Sequence, residues 1–373
     1  MLEQKRLRVL VLDDSVVYRK IISDVLSQLP HVEVVGTASN GKIAMTKIAS
    51  LKPDILTLDI EMPEMDGLDV LAAMQKNARD IGTIVLSNLT RKGGDLTIQA
   101  LELGAFDFIT KPEADSMAKS REEIKSELAA KLQAFSRQLE IRRILNNAPA
   151  SATKRKKKID MDHYNAVQRI KPANGKRKKS VEIVGIGVST GGPKALIEIM
   201  PKIPSDINVP ILIVQHMPPF FTQSLAKNLD SKCKIDVREA VDGEAIYPNS
   251  ALIAPGGKQM KIVQSSDGIN RMIRITDDPP ENSCRPSVDY LFRSIAYQYT
   301  GRSAGVILTG MGSDGSLGVK LMKRYGSVII AQNKASCVVY GMPKEPIESG
   351  IVDVIAPISK IAEEILSAIK STE

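Results

Sequence analysis

Ser189 sits in the run Gly187-Val188-Ser189-Thr190-Gly191-Gly192-Pro193, between an apolar segment, Val181 to Val188, and a helical pattern, Pro193 to Met200. The apolar segment reads as a buried strand, and proline at a first helical turn is favourable because its missing N–H has no partner there anyway. This is a literal G-x-S-x-G. Glycines permit a tight turn, push the hydroxyl out of the fold and leave helix-start amides facing incoming negative charge. An acyl-transfer nucleophile needs those conditions, but a phosphate-binding glycine loop or an ordinary strand-to-helix turn fits the pattern equally well. A general base decides between them, because a serine hydroxyl without one stays protonated and weak.

The chain has three histidines, His31, His163 and His216. His31 follows Pro30 in a loop, and His163 lies in a charged stretch of low complexity. Only His216 ends an apolar run, Val209 to Gln215, that reads as a second buried strand. A carboxylate is then needed to hold the imidazole tautomer and to stabilise its charged form. Ala304 to Thr309 reads as a third strand, and Gly310-Met311-Gly312-Ser313-Asp314-Gly315 follows it. Asp314 alone would pass for a turn aspartate among glycines. Three residues of the required types, each just past a separate strand, converge naturally in an open α/β sheet, where ligands gather beyond the carboxyl ends of the strands. The chain order Ser, His, Asp differs from the Ser, Asp, His of α/β-hydrolases, which argues against that fold.

A second constellation lies in the first third. Leu7 to Leu12 runs into Asp13-Asp14-Ser15, and Asp54 to Leu58 runs into Asp59. Three carboxylates at neighbouring strand ends make a hard oxygen site suited to Mg2+, which keeps several waters and takes few protein ligands. Ser87 ends the strand from Thr83, and Lys111-Pro112 follows Phe106 to Thr110, so a hydroxyl and an ammonium are available for phosphoryl oxygens.

The motifs IGVSTGGPKAL, IVQHMPPFFTQSLA, RPSVDYLF and LTGMGSDG resemble those of the protein-glutamate methylesterases of bacterial chemotaxis, the CheB family, from Val181 to the carboxyl terminus. The resemblance implies Ser189 as nucleophile, His216 as base, Asp314 as its orienting partner, Thr190 at the border of the site and the Met311 N–H in an oxyanion hole. Ser283-Cys284 departs from the more basic, polar pair of many members and alters the expected rim of the substrate groove. From Lys5 to Phe135, with EMPEMDGLDVL after Asp59, the chain resembles a CheY-like receiver domain. By that resemblance Asp59 accepts a phosphoryl group from a histidine kinase, Asp13 and Asp14 hold Mg2+ with it, and Ser87 and Lys111 follow the phosphate. The implied function is demethylation of glutamate γ-methyl esters on methyl-accepting chemoreceptors, and deamidation of receptor glutamines, in chemotaxis adaptation. The resemblance further implies an unphosphorylated receiver that covers the cleft around Ser189. A serine hydrolase acting on another ester or amide, or a non-enzymatic effector, remains the alternative.

At 373 residues the chain exceeds what one core usually serves. The expected organisation is α/β in two domains: a doubly wound, flavodoxin-like receiver over 1–137 and a mainly parallel catalytic domain with a β-hairpin over 181–373. A basic flexible linker over 138–180 separates them. Ile124, Leu128, Leu132, Phe135 and Leu139 form one helical stripe, extending the last receiver helix toward Leu145. Asn146 to Lys179 lacks periodicity and is expected to be mobile. Met260 to Thr276 reads as the hairpin, turning at Ser265-Ser266-Asp267-Gly268, and Ile358 to Ile369 as the closing helix.

The formal charge of +8 resides in the linker, where eleven lysines and arginines between Ser151 and Ser180 face two aspartates. The remainder is close to neutral, which argues against nucleic acid as a partner. Such a run is most often a solvated tether, with contact to anionic lipid near membrane-bound partners as the lesser role. The three widely spaced cysteines and the lack of a signal-peptide pattern or membrane-length apolar run point to a reduced, cytoplasmic setting, with membranes met only through receptors. The hydrolytic chemistry itself needs no cofactor.

Overall fold

A computed structural model describes residues 6–77, 80–111, 117–146, 167–169, 180–265, 268 and 270–370. The chain divides into two units, Met1–Asn147 and Ala148–Glu373, each with its own apolar core.

The first unit alternates strand and helix: β1 (Leu7–Leu12), α1 (Val16–Ser27), β2 (Val32–Ala38), α2 (Gly41–Leu51), β3 (Ile55–Asp59), α3 (Gly67–Asn77), β4 (Gly82–Ser87), α4 (Arg91–Glu102), β5 (Asp107–Thr110) and α5 (Met117–Asn146). All its strand pairs are parallel, in the order β2-β1-β3-β4-β5. This is the doubly wound order whose direction reverses between β1 and β3, so a crevice opens there beyond the strand ends. The expected stripe on α5 is real: Ile124, Leu128, Leu132 and Phe135 are buried, and Phe135 meets Phe106 edge-on at 5.3 Å.

The second unit contains β6 (Gln168–Arg169), β7 (Ile183–Val188), α6 (Gly192–Ile199), β8 (Ile211–Gln215), α7 (Phe221–Asp230), β9 (Asp236–Glu239), β10 (Ser250–Ile253), β11 (Gln259–Gln264), β12 (Arg271–Thr276), α8 (Val288–Gln298), β13 (Ser303–Ile307), α9 (Ser316–Arg324), β14 (Val328–Gln332), α10 (Lys344–Glu348), β15 (Val354–Ala356) and α11 (Ile358–Lys370). Its large sheet runs β6-β15-β14-β13-β7-β8-β10-β9. After β6 the chain passes to the central β7, then to β8, to the edge strand β9 and back inward to β10, before returning to β7's other side and building out through β13, β14 and β15. The order reverses between β7 and β13. Each of these central strands is fully buried, which explains their uninterrupted valine and isoleucine runs.

β11 and β12 form the expected antiparallel hairpin, although Ser266 and Asp267 of its turn lie outside the described residues. Helix α5 continues to Asn146, as the stripe extended toward Leu145 implies. One feature departs from the expected linker: Gln168–Arg169 pairs antiparallel with β15, closing an otherwise open sheet edge. Arg169 anchors that strand through Glu364, 2.9 Å away, whose side chain is only 8% exposed. A two-residue strand has no periodicity to read, so it was invisible within a charged run. The other basic residues of the run, with His163, lie outside the described residues.

Candidate active site

β13, β7 and β8 are adjacent in the sheet, so the segments leaving their carboxyl ends share one end of the unit. Ser189 directly follows β7, His216 directly follows β8, and Asp314 lies between β13 and α9. Backbone bonds stitch these segments together: the Ser189 N–H donates to the Thr309 carbonyl at 3.0 Å and the His216 N–H to the Val188 carbonyl at 3.2 Å. Gln215 adds a clasp, its Nε2 donating to the carbonyls of Ser189 and His216 at 3.1 Å each.

The turn after Ser189 requires its glycines. Gly191 caps α6 in the left-handed region at φ 77°, and a Cβ there would also stand 2.6 Å from Val338. Gly310 packs so closely that a Cβ on it would come 2.9 Å from the Cβ of Ser189. Ser189 itself is half-buried. Thr190 is buried, and its carbonyl accepts from the Thr309 hydroxyl at 3.0 Å. Met311 is exposed, and its N–H has no partner among the described residues.

Asp314 is 2% exposed and crowded with donors. It accepts from His216 Nε2 at 2.8 Å, the Val288 N–H at 2.7 Å, the Ser287 hydroxyl at 2.8 Å, and Asn282 Nδ2, the Asp289 N–H and the Gly315 N–H at 3.1 Å each. Several of these belong to the start of α8, where the helix dipole favours an anion. Burial alone would raise the Asp314 carboxyl, but the hydrogen bond and charge of His216, with the Val288 N–H and Asn282, hold it at about 2. Burial likewise opposes charge on His216, yet the bonds to Asp314 and Cys284 push the imidazole up to about 9. The resting pair at neutral pH is therefore imidazolium and carboxylate.

With Nε2 committed to Asp314, the nitrogen left for chemistry is Nδ1, which lies 3.6 Å from the Cys284 thiol. The structure thus joins His216 to Asp314 and brings Ser189 to the same sheet end, while among the described residues none hydrogen-bonds the Ser189 hydroxyl. Such bonds are often long before substrate arrives. Asn282, Ser287 and Gln215 were missed as site residues, and Cys284 was read only as part of the substrate-groove rim, not as a neighbour of His216. Ser287 alone left a local signal, as the serine before an apolar helical run; it caps α8 by accepting from the Tyr290 N–H at 3.4 Å. Gln215 adjoins His216 at the end of β8, where its type alone signals nothing, and Asn282 and Cys284 reach the site through tertiary contacts that no local pattern encodes. His31 is exposed and distant in sequence from any of these groups.

In the first unit, Asp13 follows β1 and Asp59 ends β3, flanking the reversal of strand order. Carboxylate oxygens of Asp13, Asp14 and Asp59 lie within 4.8 Å of one another; Asp13 and Asp59 are buried and Asp14 is exposed. Lys111 Nζ stands 2.8 Å from Asp13 and 2.7 Å from Asp59. Burial pushes the Asp59 carboxyl up to about 6, Lys111 opposes that, and the charges of Asp13 and Asp14 add to it. Crowded, partly desolvated carboxylates with one face open to water suit a small hard cation, which would relieve that repulsion. The Ser87 hydroxyl donates to the Gly93 carbonyl at 3.1 Å, and the Lys111 N–H donates to the Ser87 carbonyl at 2.8 Å.

The family model for the CheB methylesterase matches residues 184–365, and that for the response regulator receiver domain matches residues 9–121. The chain is 49% identical to a protein-glutamate methylesterase/protein-glutamine glutaminase of Desulfotalea psychrophila over 98% of this chain and 99% of that protein. It is 43% identical to the Bacillus subtilis protein of the same name, with the same coverage of each. A crystal structure of the Thermotoga maritima CheB methylesterase catalytic domain covers 51% of this chain and 99% of its own, at 42% identity and a TM-score of 0.49. The chain belongs to the CheB methylesterase family, in a form that carries a response regulator receiver domain before the catalytic domain.

Proposed function

We propose that this protein hydrolyses glutamate γ-methyl esters on chemoreceptors and deamidates receptor glutamines, under the control of a histidine kinase that phosphorylates Asp59. The observation that carries the reading is the His216–Asp314 pair, locked by six donors onto Asp314, at the strand-order reversal that Ser189 also borders.

His216 is fixed with its proton on Nε2, so its neutral form presents the Nδ1 lone pair as general base. Ser189 gives its proton to that nitrogen and attacks the γ-carbonyl. The oxygen of the tetrahedral intermediate takes the unpartnered Met311 N–H, with Thr190 lining the border. The imidazolium, steadied by Asp314, then protonates methoxide, and methanol leaves. Water repeats the sequence on the acyl-enzyme and restores the serine. A glutamine side chain enters the same path with ammonia as leaving group. No step draws on a group outside the chain.

In the receiver, Asp13, Asp14 and Asp59 would hold Mg2+, which supplies charge neutralisation for the incoming phosphoryl oxygens. The Asp59 carboxylate attacks the phosphorus of the kinase's phosphohistidine, the P–N bond breaks and the kinase imidazole leaves, while Lys111 turns its ammonium from the carboxylates to the phosphoryl group and Ser87 releases Gly93 to reach it.

The test is methanol release from methylated chemoreceptor, run beside a panel of simple esters. Receptor-derived methanol in preference to the panel is the expected result. Hydrolysis of the panel with none from receptor would assign the same chemistry to another substrate.

A further inference from the structure

Cys284 has no part in this mechanism, yet its thiol faces the base. Its Sγ lies 3.6 Å from His216 Nδ1. A tetrahedral zinc ion with an imidazole nitrogen at about 2.0–2.1 Å and a thiolate at about 2.3 Å separates those two donors by about 3.5 Å. The match needs almost no rearrangement. The second ring nitrogen of His216 is already bonded to Asp314 at 2.8 Å, the carboxylate–histidine arrangement that fixes a metal-binding tautomer. His216, Cys284 and Asp314 also offer donor atoms within 4.8 Å of one another.

The thiol is carried on a braced turn. The Cys284 N–H donates to the Glu281 carbonyl at 2.8 Å, the Glu281 N–H donates back at 3.1 Å, and Gln259 Nε2 holds the Cys284 carbonyl at 3.3 Å. Asn282, within that turn, donates to Asp314. Both donors are therefore held on one frame, and both are only partly buried, leaving solvent to complete the coordination.

We propose that His216 Nδ1 and Cys284 Sγ chelate a thiophilic divalent cation such as Zn2+, which occupies the base nitrogen and switches the esterase off. The thiol proton and the Nδ1 proton of the resting imidazolium pass to solvent as the sulfur–metal and nitrogen–metal bonds form, with no change of oxidation state. The site is soft, unlike the all-oxygen cluster of Asp13, Asp14 and Asp59, so excess Mg2+ saturates the latter without competing. The inhibitory half rests on His216 being the base; the binding half does not.

The experiment titrates the full-length protein, in excess Mg2+, with Co2+ as a spectroscopic probe and then with Zn2+, and measures methanol release in parallel, each variant against its own metal-free rate. Wild type should show a thiolate-to-cobalt charge-transfer band saturating at one equivalent, displaced by Zn2+, with turnover lost over the same range. Cys284→Ser should lack the band and keep its rate in Zn2+, and Asp314→Asn should bind about 10–100-fold more weakly. A wild type without the band, or a Cys284→Ser protein with unchanged band and Zn2+ affinity, overturns the site. Binding at Cys284 without inhibition overturns the inhibitory half and, with it, the base role of His216.

Discussion

At the scale of single residues, the outcome hangs on how strongly Asp314 holds His216. An unperturbed histidine would lose its proton at about 6.5, so the sequence alone predicts activity rising between pH 6 and 7. The buried partner moves that window upward. The base form is neutral, and with the imidazole raised to about 9, kcat/KM should climb with pH through 8, reach half its plateau near 9 and level off above it. A profile complete by pH 7 would contradict the ion pair. Linkage has the matching sign: stability from the raised His216 is fully present below about 6.5 and lost as pH rises through about 9. That from the depressed Asp314 is present above 3.8 and lost as pH falls through about 2. Asp314→Asn should strip this alkaline shift and lower turnover, while leaving more activity than loss of the nucleophile, since orientation is a smaller role than attack. Wild-type turnover in that variant would move the orienting role to another carboxylate. Ser189, His216 and Asp314 were legible because each follows an apolar strand. Asn282 was not, and Cys284 was legible only as a rim residue, because a turn fastened by Gln259 and Glu281 brings them to His216 and Asp314 from another part of the chain.

At the scale of elements, α8 links fold to chemistry. Its capping residue Ser287 is fully buried and serves twice, accepting from Tyr290 and donating to Asp314. Ser287→Ala should cost about 0.5–2 kcal/mol through the lost cap, read from a denaturant melt. It should also lower kcat with KM little changed, because Asp314 loses a donor while the substrate rim is untouched. A variant with the stability loss but wild-type kcat would confine Ser287 to capping. The strands were readable wherever burial on both faces made them continuously apolar, as at Ile183–Val188 and Ile211–Gln215. Gln168–Arg169 was not, since an edge strand held by backbone pairing and one Arg169–Glu364 contact needs no apolar pattern.

At the scale of the whole molecule, two units with separate cores carry the Asp13, Asp14 and Asp59 cluster in one and the His216–Asp314 pair beside Ser189 in the other. Asp59→Asn should keep basal esterase activity and lose its response to a small phosphodonor with Mg2+. A catalytic fragment should begin near Ala148, because one starting at Ser180 would discard the strand that covers the edge of β15 and leave Glu364 without Arg169. If the receiver restrains the catalytic unit, that fragment should outpace the unphosphorylated full-length protein without any donor. A fragment no faster would remove restraint and leave stimulation. Tenfold activation corresponds to about 1.4 kcal/mol, within the usual range of coupling between two sites. The most direct test of the central claim is methanol release from methylated receptor by the full-length protein and by Ser189→Ala, each with and without phosphodonor. The expected result is donor-stimulated release by wild type and a rate lower by about 10^4- to 10^6-fold in Ser189→Ala, which still becomes phosphorylated. A Ser189→Ala protein retaining a tenth of wild-type turnover would contradict the assignment of Ser189 as the nucleophile.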